Sequence, residues 1–231
     1  MEGEIPLTTQ TRARNGHTAA ATEDAESTPP ASIEIDKIQA ETLRVPIIGV
    51  TPLLVNQFSE KSKRKMLDDM QGRKSPKQNK DPQAEYEAAF YLMSDGSYGF
   101  PASAFKDATV GAARFYDKSV SMTALKQYIF FRGEIGKDGR ALVRVEGEPN
   151  MREDVVRVGR GGTDLRYRPQ FLEWRATLLV TYVTSALTRG SVLSLIDAGG
   201  MGVGVGEWRP EKNGDFGTYA IDESREVEVV K

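Results

Sequence analysis

Seven glycines fall within nineteen residues near the end of the chain, between Gly199 and Gly217. A glycine loses more backbone freedom on folding than any other residue. Such a density therefore persists only where the backbone needs positive φ or approaches another segment closely. Trp208, Arg209 and Lys212 stand within this glycine run. Bare amides, two cations and one aromatic plane are the parts of a cradle for phosphates, so the run predicts a loop that holds a phosphate backbone.

The elements around the glycine run exclude two common nucleotide-binding motifs. Residues 188–198 predict a helix before the run, and residues 216–221 predict a strand after it. A dinucleotide fingerprint has the opposite order, strand before and helix after, and a P-loop needs a Gly-Lys-Ser/Thr sequence that does not follow here. An alternative stays open, in which the run is a crossover that serves only close packing.

The composition removes several classes of chemistry. The chain of 231 residues has no cysteine, and His17 is its single histidine. Disulfides, thiolate zinc sites and histidine catalysis are therefore not expected, and neither is a cofactor. No apolar run approaches the roughly 20 residues of a membrane span. The acidic N-terminus does not read as a signal peptide, so we expect a cytoplasmic protein with no membrane partner.

Charge is distributed unevenly along the chain. Residues 1–41 carry three basic and eight acidic side chains, whereas residues 59–80 carry eight basic and three acidic ones. Residues 1–31 are rich in Thr, Ala, Ser, Glu and Pro, a composition that predicts disorder. We therefore expect an acidic, disordered arm over residues 1–41 and one folded domain over residues 42–231. The arm either competes with an anionic partner or only solubilises the chain.

Hydrophobic periodicity predicts an α+β fold. Strands are expected over residues 43–50, near residues 128–131 and 142–146, over residues 173–183 with strict alternation, and over residues 216–221. A helical insertion is expected at about residues 56–126, and a projecting β-hairpin finger at about residues 150–171. Without these additions the order is β-α-β-β-α-β, a modified ferredoxin-like or RRM-like arrangement.

The residues that follow this order carry a resemblance to a known family. A helix runs into Gly199-Gly200-x-Gly-x-Gly-x-Gly, then Arg209, then Gly214-x-Phe216-Gly217 before a final strand. This pattern resembles the glycine-rich loop of the RAMP superfamily, the RRM-derived proteins of CRISPR effector complexes, and most of all their backbone subunit that lines guide RNA. The phrase Gly99-Phe100-Pro101-Ala102-x-x-Phe105-Lys106 is similar to small phage proteins that share such a fold. The resemblance implies a filament of repeated subunits, each gripping a few nucleotides, with the finger reaching over its neighbour.

The candidate nucleic-acid-binding residues fall into four groups. They are the glycine run with Gly200, Gly202, Gly204, Gly206 and Arg209; a basic helix with Lys61, Lys63, Arg64 and Lys65; a second helix with Lys106 and Arg114; and the finger with Arg157, Arg160, Arg166 and Arg168. Phosphate contacts from such cations give affinity without sequence reading. Alternatives stay open: the charged helix is only solvated, and the finger arginines pair with Glu153, Asp154 and Asp164.

These patterns predict a non-enzymatic protein that binds single-stranded nucleic acid, RNA or DNA, as a homo-oligomeric filament or ring. Asp68 and Asp69 point apart on one helix, and Asp81 lies in a polar loop, so neither position predicts a catalytic site. A second hypothesis is a structural assembly protein, in which the finger and the arm are clasps between copies and no nucleic acid takes part. A third is a regulator that mimics a RAMP subunit and binds a host complex.

Overall fold

An antiparallel sheet packed against helices forms the centre of this α+β fold. The computed structural model describes residues 34–58, 60–73, 79–116, 120–158 and 162–230. Within them the helices are α1 (Glu60–Met70), α2 (Pro82–Ala88), α3 (Ala102–Gly111), α4 (Met122–Tyr128) and α5 (Arg189–Gly202). The strands are β1 (Ala40–Gly49), β2 (Leu53–Leu54), β3 (Tyr91–Leu92), β4 (Tyr98–Pro101), β5 (Ile129–Arg132), β6 (Glu134–Ile135), β7 (Ala141–Glu146), β8 (Pro149–Val158), β9 (Gly162–Phe171), β10 (Arg175–Val183), β11 (Tyr219–Ile221) and β12 (Glu228–Val230).

The large sheet is built around β1 and β10, which pair antiparallel along most of their length. Its strands follow the order β11-β1-β10-β7-β4-β3, with β12 beside β1, β5 beside β10 and β6 beside β7. The strands β11, β1, β10 and β5 therefore lie side by side. Helix α3 lies between β1 and β5 along the chain, helix α5 lies between β10 and β11, and these two helices pack against each other.

Alternation along the two central strands separates a buried face from an open face. Leu43, Val45 and Ile47 of β1 are fully buried, and so are the alternating residues of β10 from Ala176 to Tyr182. These side chains join one core cluster with residues of α3 and α5. Each buried strand residue removes apolar surface from water, worth about 25 cal/mol per Å². The other face carries polar side chains. Among them are Arg44 of β1 and Arg132 of β5, which lie on either side of Leu179 of β10.

Pro46 lies in a central strand, where a residue without an N–H is usually excluded. On one side β12 pairs with residues 42–44 of β1, and β11 pairs with residues 47–49, so Pro46 falls in the gap between them. The Pro46 carbonyl still accepts a hydrogen bond from the Asp222 N–H at 3.0 Å. The break between two short neighbouring strands therefore accommodates the proline. The sequence pattern did not predict β12, because its three residues lie in a short segment rich in charged side chains.

The finger is the hairpin of β8 and β9, paired from Pro149↔Phe171 outward to Val158↔Gly162. Strand β2 joins β9 at the base, and the three strands form a separate small sheet. The region expected as a helical insertion also contains the hairpin of β3 and β4. The turn at Asp95 closes this hairpin, because its carboxylate accepts hydrogen bonds from the Ser97 N–H and hydroxyl.

Residues Lys37–Lys231 cluster as one compact unit. The predicted arm, residues 1–41, lies mostly outside the described residues, and β1 already begins at Ala40. Among the residues that the structure describes, no helix is long and apolar enough to cross a membrane.

Candidate nucleic-acid interface

The first half of the glycine run is helical. Helix α5 begins at its N-cap Thr188, whose hydroxyl accepts a hydrogen bond from the Ser191 N–H at 3.1 Å, and it continues to Gly202. The predicted end of this helix at Gly199 is therefore wrong. A Cβ at Gly199 would lie 2.6 Å from the Ala108 carbonyl oxygen, and one at Gly200 would lie 2.1 Å from the Tyr219 carbonyl oxygen. These two glycines let α5 approach α3 and the sheet.

The second half, residues 203–217, is the glycine loop. Its amides are largely used by backbone carbonyls: the Gly204 N–H donates to the Gly199 oxygen, the Val205 N–H to the Gly217 oxygen, and the Glu207 N–H to the Leu54 oxygen, each at 2.9 Å. The amides of Gly200 and Gly202 lie within α5. The geometry therefore does not favour the expected cradle of bare amides, and side chains on this loop carry the available contacts.

An open groove of about 410 Å³ follows the glycine loop. One wall is formed by residues 203–207 with Arg209 and Glu211. The facing wall is the start of α3, including Ser103 and Asp107, and the end is formed by Asn56, Tyr91 and Arg140. Because Gly206 has a φ of +82° and its Cβ would lie 2.6 Å from the Leu54 carbonyl oxygen, a larger residue there would push this wall away from β2.

A second cleft of about 330 Å³ continues the groove. It shares Pro101, Ser103 and Arg140 with the first cleft and is also lined by Lys106. The Lys106 Nζ donates to the Lys126 carbonyl oxygen at 2.9 Å and lies 5.1 Å from the centre of the Phe130 ring. The structure therefore brings Arg140 and Arg209 to one cleft and Arg140 and Lys106 to the adjoining one, although these residues are far apart in the sequence.

The groove cations are held by carboxylates at its rim. The Arg209 guanidinium contacts the Glu211 carboxylate at 2.7 Å, and Arg114 reaches the same carboxylate at 3.4 Å. Hydrogen bonding from Arg209 lowers the pKa of Glu211 below its ordinary value. Arg140 pairs with Asp138 at 3.4 Å and lies over the Tyr91 ring. All three arginines keep partial exposure, so a phosphate can reach them by competing with these carboxylates.

Arg168 does not contribute to the open surface. It is 1% exposed, and its guanidinium pairs with Asp154 at 2.6 Å and with Glu207 at 3.4 Å. Arg168 is therefore not part of the open nucleic-acid interface that the sequence predicted. Its ion pairs with Asp154 of β8 and Glu207 of the glycine loop place it between the finger and that loop. Asp164, another expected partner of the finger arginines, instead pairs with Lys80 at 2.6 Å.

The remaining finger arginines lie on opposite faces of the hairpin. Strand alternation places Arg166 on the face of Asp154 and Arg168, which meets the glycine loop, and places Arg157 on the other face. Arg160 lies outside the described residues. Of the aromatic residues near the finger, Phe171 and Trp174 are buried in the core.

The expected basic helix is α1, which carries Lys61, Lys63, Arg64 and Lys65. Lys63 and Arg64 are exposed, and the side chains of Lys61 and Lys65 lie outside the described part of the chain. Arg114 lies in the 3₁₀ turn Ala112–Phe115 that follows α3. Arg140, Asn56 and Tyr91 were not found from the sequence, because they come to the groove from three separate segments and no spacing marks them.

Among the described residues, no group of three or more His, Cys, Asp and Glu side chains is arranged to hold a metal ion. The charged and aromatic residues that line the two clefts include Lys106, Arg140, Arg209, Glu211 and Tyr91.

Comparison with known proteins gives a distant structural similarity. No family of known sequences and no curated protein matches the chain. Among solved structures, the crystal structure of Cmr6 from Pyrococcus furiosus is similar at a TM-score of 0.38 and 10% sequence identity, covering 80% of this chain and 100% of that chain. A similarity of this size carries no argument about function, so the resemblance to the RAMP superfamily remains a prediction from the sequence.

Proposed function

We propose that this protein binds single-stranded nucleic acid along its sugar–phosphate backbone, without reading sequence and without catalysis. One observation carries the proposal: Arg140 and Arg209 line a cleft that runs along the glycine loop, and Arg140 and Lys106 line a second cleft that adjoins it. Cations at phosphates supply affinity but no sequence information. The interface we propose consists of Lys106, Arg114, Arg140, Arg166 and Arg209, with the wall of the glycine loop around Gly204 and Gly206.

The proposed arrangement agrees with the RRM-like interpretation of the sequence. The side-by-side strands β11, β1, β10 and β5, with α3 and α5 as the two crossovers, support a ferredoxin-like interpretation, which we propose. In this interpretation the glycine loop connects the last helix to the last strand. We propose that the nucleic acid follows this loop rather than the open face of the sheet, because the cleft of about 410 Å³ lies along the loop.

The test is a binding titration by fluorescence anisotropy with labelled thymidine and uridine oligomers of about 30 nucleotides, long enough for several binding sites. Wild type should bind both at about 50 mM salt. The variant Arg140→Gln/Arg209→Gln should bind at least about tenfold more weakly, since two cations no longer meet phosphates.

The matched control is Arg44→Gln/Arg132→Gln, which removes the same charge from the open face of the sheet. It should leave affinity within about twofold of wild type, because these two cations line neither cleft. Absence of binding by wild type would refute the proposal. An effect of the control as large as that of the groove variant would move the interface to the sheet.

We further propose that copies assemble side by side along the strand. The finger supports this, because its cross-strand pair Val155 and Leu165 is 66% and 38% exposed, an apolar surface suited to a protein contact. The same pair favours the second candidate function, an assembly protein without nucleic acid. Light scattering of nuclease-treated protein separates them: assembly only after oligomer is added supports the first, and equal assembly without it supports the second.

A further inference from the structure

Trp208 has an unusual backbone conformation. In the described ranges, Trp208 and Asn213 are the non-glycine residues with positive φ, at 51° and 58°. Asparagine tolerates this region, whereas a residue with a large side chain is strained in it. A strained residue persists when the surrounding structure holds it, and such residues concentrate at functional sites. A glycine at this position would relieve the strain, so the indole ring itself needs an explanation.

The glycine loop is folded so as to hold Trp208. The Phe216 N–H donates to the Trp208 carbonyl oxygen at 3.1 Å, and the Gly214 N–H donates to the Arg209 oxygen at 3.2 Å. A Cβ at Gly214 would lie 1.8 Å from the Trp208 oxygen, so only glycine allows this closure. Gly214 therefore helps to fix the backbone conformation in which the Trp208 ring is held.

The Trp208 ring packs against protein side chains and stays partly exposed. The Arg168 guanidinium carbon lies 5.2 Å from the centre of the Trp208 ring, and the Phe216 ring centre lies 6.1 Å away. The Arg152 guanidinium carbon lies 5.0 Å from the centre of the Phe216 ring. Arg152 and Arg168 both form ion pairs with Asp154. Yet Trp208 remains 38% exposed. Burial in the core does not explain a ring with this much exposure.

We propose that Trp208, with Phe216 beside it, is a stacking platform for an unpaired nucleobase. The inference rests on the proposed function, because its neighbours Glu207 and Arg209 line the groove in which the phosphates would lie. Aromatic rings hold bases of single strands by stacking, and every base has a face that can stack. The platform therefore selects strands with unpaired bases over duplexes, and it adds affinity without sequence reading.

The experiment compares strands with and without bases. The probes are a thymidine oligomer and an abasic oligomer with the same sugar–phosphate backbone, titrated against wild type, Trp208→Gly and Trp208→Phe. Trp208→Gly removes the ring and suits positive φ, so its fold should persist, as a thermal unfolding curve checks. We expect it to bind the thymidine oligomer about tenfold or more weakly and the abasic oligomer as wild type does. Trp208→Phe should keep most of the affinity, because it keeps an aromatic plane.

Intrinsic fluorescence gives a readout that needs no variant. The chain has two tryptophans, and Trp174 is buried in the core. Stacking of a base on Trp208 should quench the emission of wild type with the thymidine oligomer and not with the abasic one. Equal weakening of both oligomers by Trp208→Gly, or no weakening, or unquenched emission at saturation, would overturn the platform while leaving the groove intact. Failure of wild type to bind either oligomer would instead refute the proposed function and the platform with it.

Discussion

Arg168 shows how the burial of one side chain changes its role. Fingers with arginines suggest phosphate contacts, yet this guanidinium is enclosed between the finger and the glycine loop and is neutralised by Asp154 and Glu207. A buried ion pair is costly to break, because the remaining charge loses its partner without regaining water. Arg168 thus fixes the finger to the loop, and the half-buried Arg166 on the same face is the finger arginine that we propose contacts a strand.

Asp154→Asn should lower the free energy of unfolding by about 3 kcal/mol, since it leaves the Arg168 charge without its closest buried partner. The measurement is urea unfolding followed by circular dichroism. The double variant Asp154→Leu/Arg168→Met should recover part of this loss, because it removes both charges. A double variant that is less stable than Asp154→Asn would contradict this view of the pair.

Glu211→Gln should strengthen binding of a thymidine oligomer about fivefold. The carboxylate occupies Arg209 and Arg114, and one unit charge at about 4 Å in water is worth about 1 kcal/mol. Glu228→Gln is the matched control, because Glu228 pairs with Arg44 at 3.0 Å on the β1–β12 side of the sheet. Anisotropy titration measures both variants. Equal gains in the two would show a general effect of net charge and not a groove effect.

At the scale of elements, the finger divides its arginines between two faces. Arg166→Gln should lower the slope of log affinity against log salt by about 0.7, the amount that one phosphate neutralised on a single strand contributes. Arg157→Gln removes the same charge from the opposite face and should change the slope by less. Titrations between about 50 and 200 mM salt test this difference. The reverse order of effects would place the nucleic acid on the outer face of the finger.

Helix α5 contains glycines with different roles. Gly200→Ala should lower the free energy of unfolding by about 3 kcal/mol, because its Cβ would overlap the Tyr219 backbone where helix and sheet meet. A Cβ at Gly190, in the first turn of the same helix, would approach only the Thr188 hydroxyl, at 4.0 Å. Gly190→Ala should therefore be neutral or stabilising by up to about 1 kcal/mol. Urea unfolding of both compares them. A stable Gly200→Ala variant would mean that the helix and sheet can separate there.

The elements also show what the sequence can predict. The alternation of β10, the Thr188 cap of α5 and the turn at Asp95-Gly96 are local signals, and the structure contains each of these elements. The end of α5 is not a local signal, because Gly199 and Gly200 lie within the helix where it packs closely against α3 and β11. The groove is not local either, since Arg140 and Arg209 line the same cleft from distant parts of the chain. The absence of the expected bare amides follows from hydrogen bonds to distant carbonyls such as that of Leu54.

At the scale of the whole molecule, two buried tyrosines predict alkaline instability. Burial and a hydrogen bond to Glu41 raise the pKa of Tyr182 to about 12, and burial raises the pKa of Tyr219 further. Both groups favour the folded state while they stay protonated. Because unfolded tyrosine ionises near pH 10, the contribution of these two groups to the free energy of unfolding should be constant below that pH and fall as pH rises toward about 12.

Tyr182→Phe and Tyr219→Phe should each flatten this fall, because phenylalanine has no proton to lose. Urea unfolding between about pH 9 and 12 measures it. An unchanged slope in both variants would assign the alkaline instability to other groups.

The central claim is that Lys106, Arg140 and Arg209 form one phosphate-binding path. The most direct measurement is the salt dependence of affinity for a thymidine oligomer, compared between wild type and Lys106→Gln/Arg140→Gln/Arg209→Gln. Each phosphate contact on a single strand contributes about 0.7 to the slope, so the triple variant should reduce the slope by about 2. A wild-type affinity that does not change with salt, or a triple variant with the wild-type slope, would contradict the account.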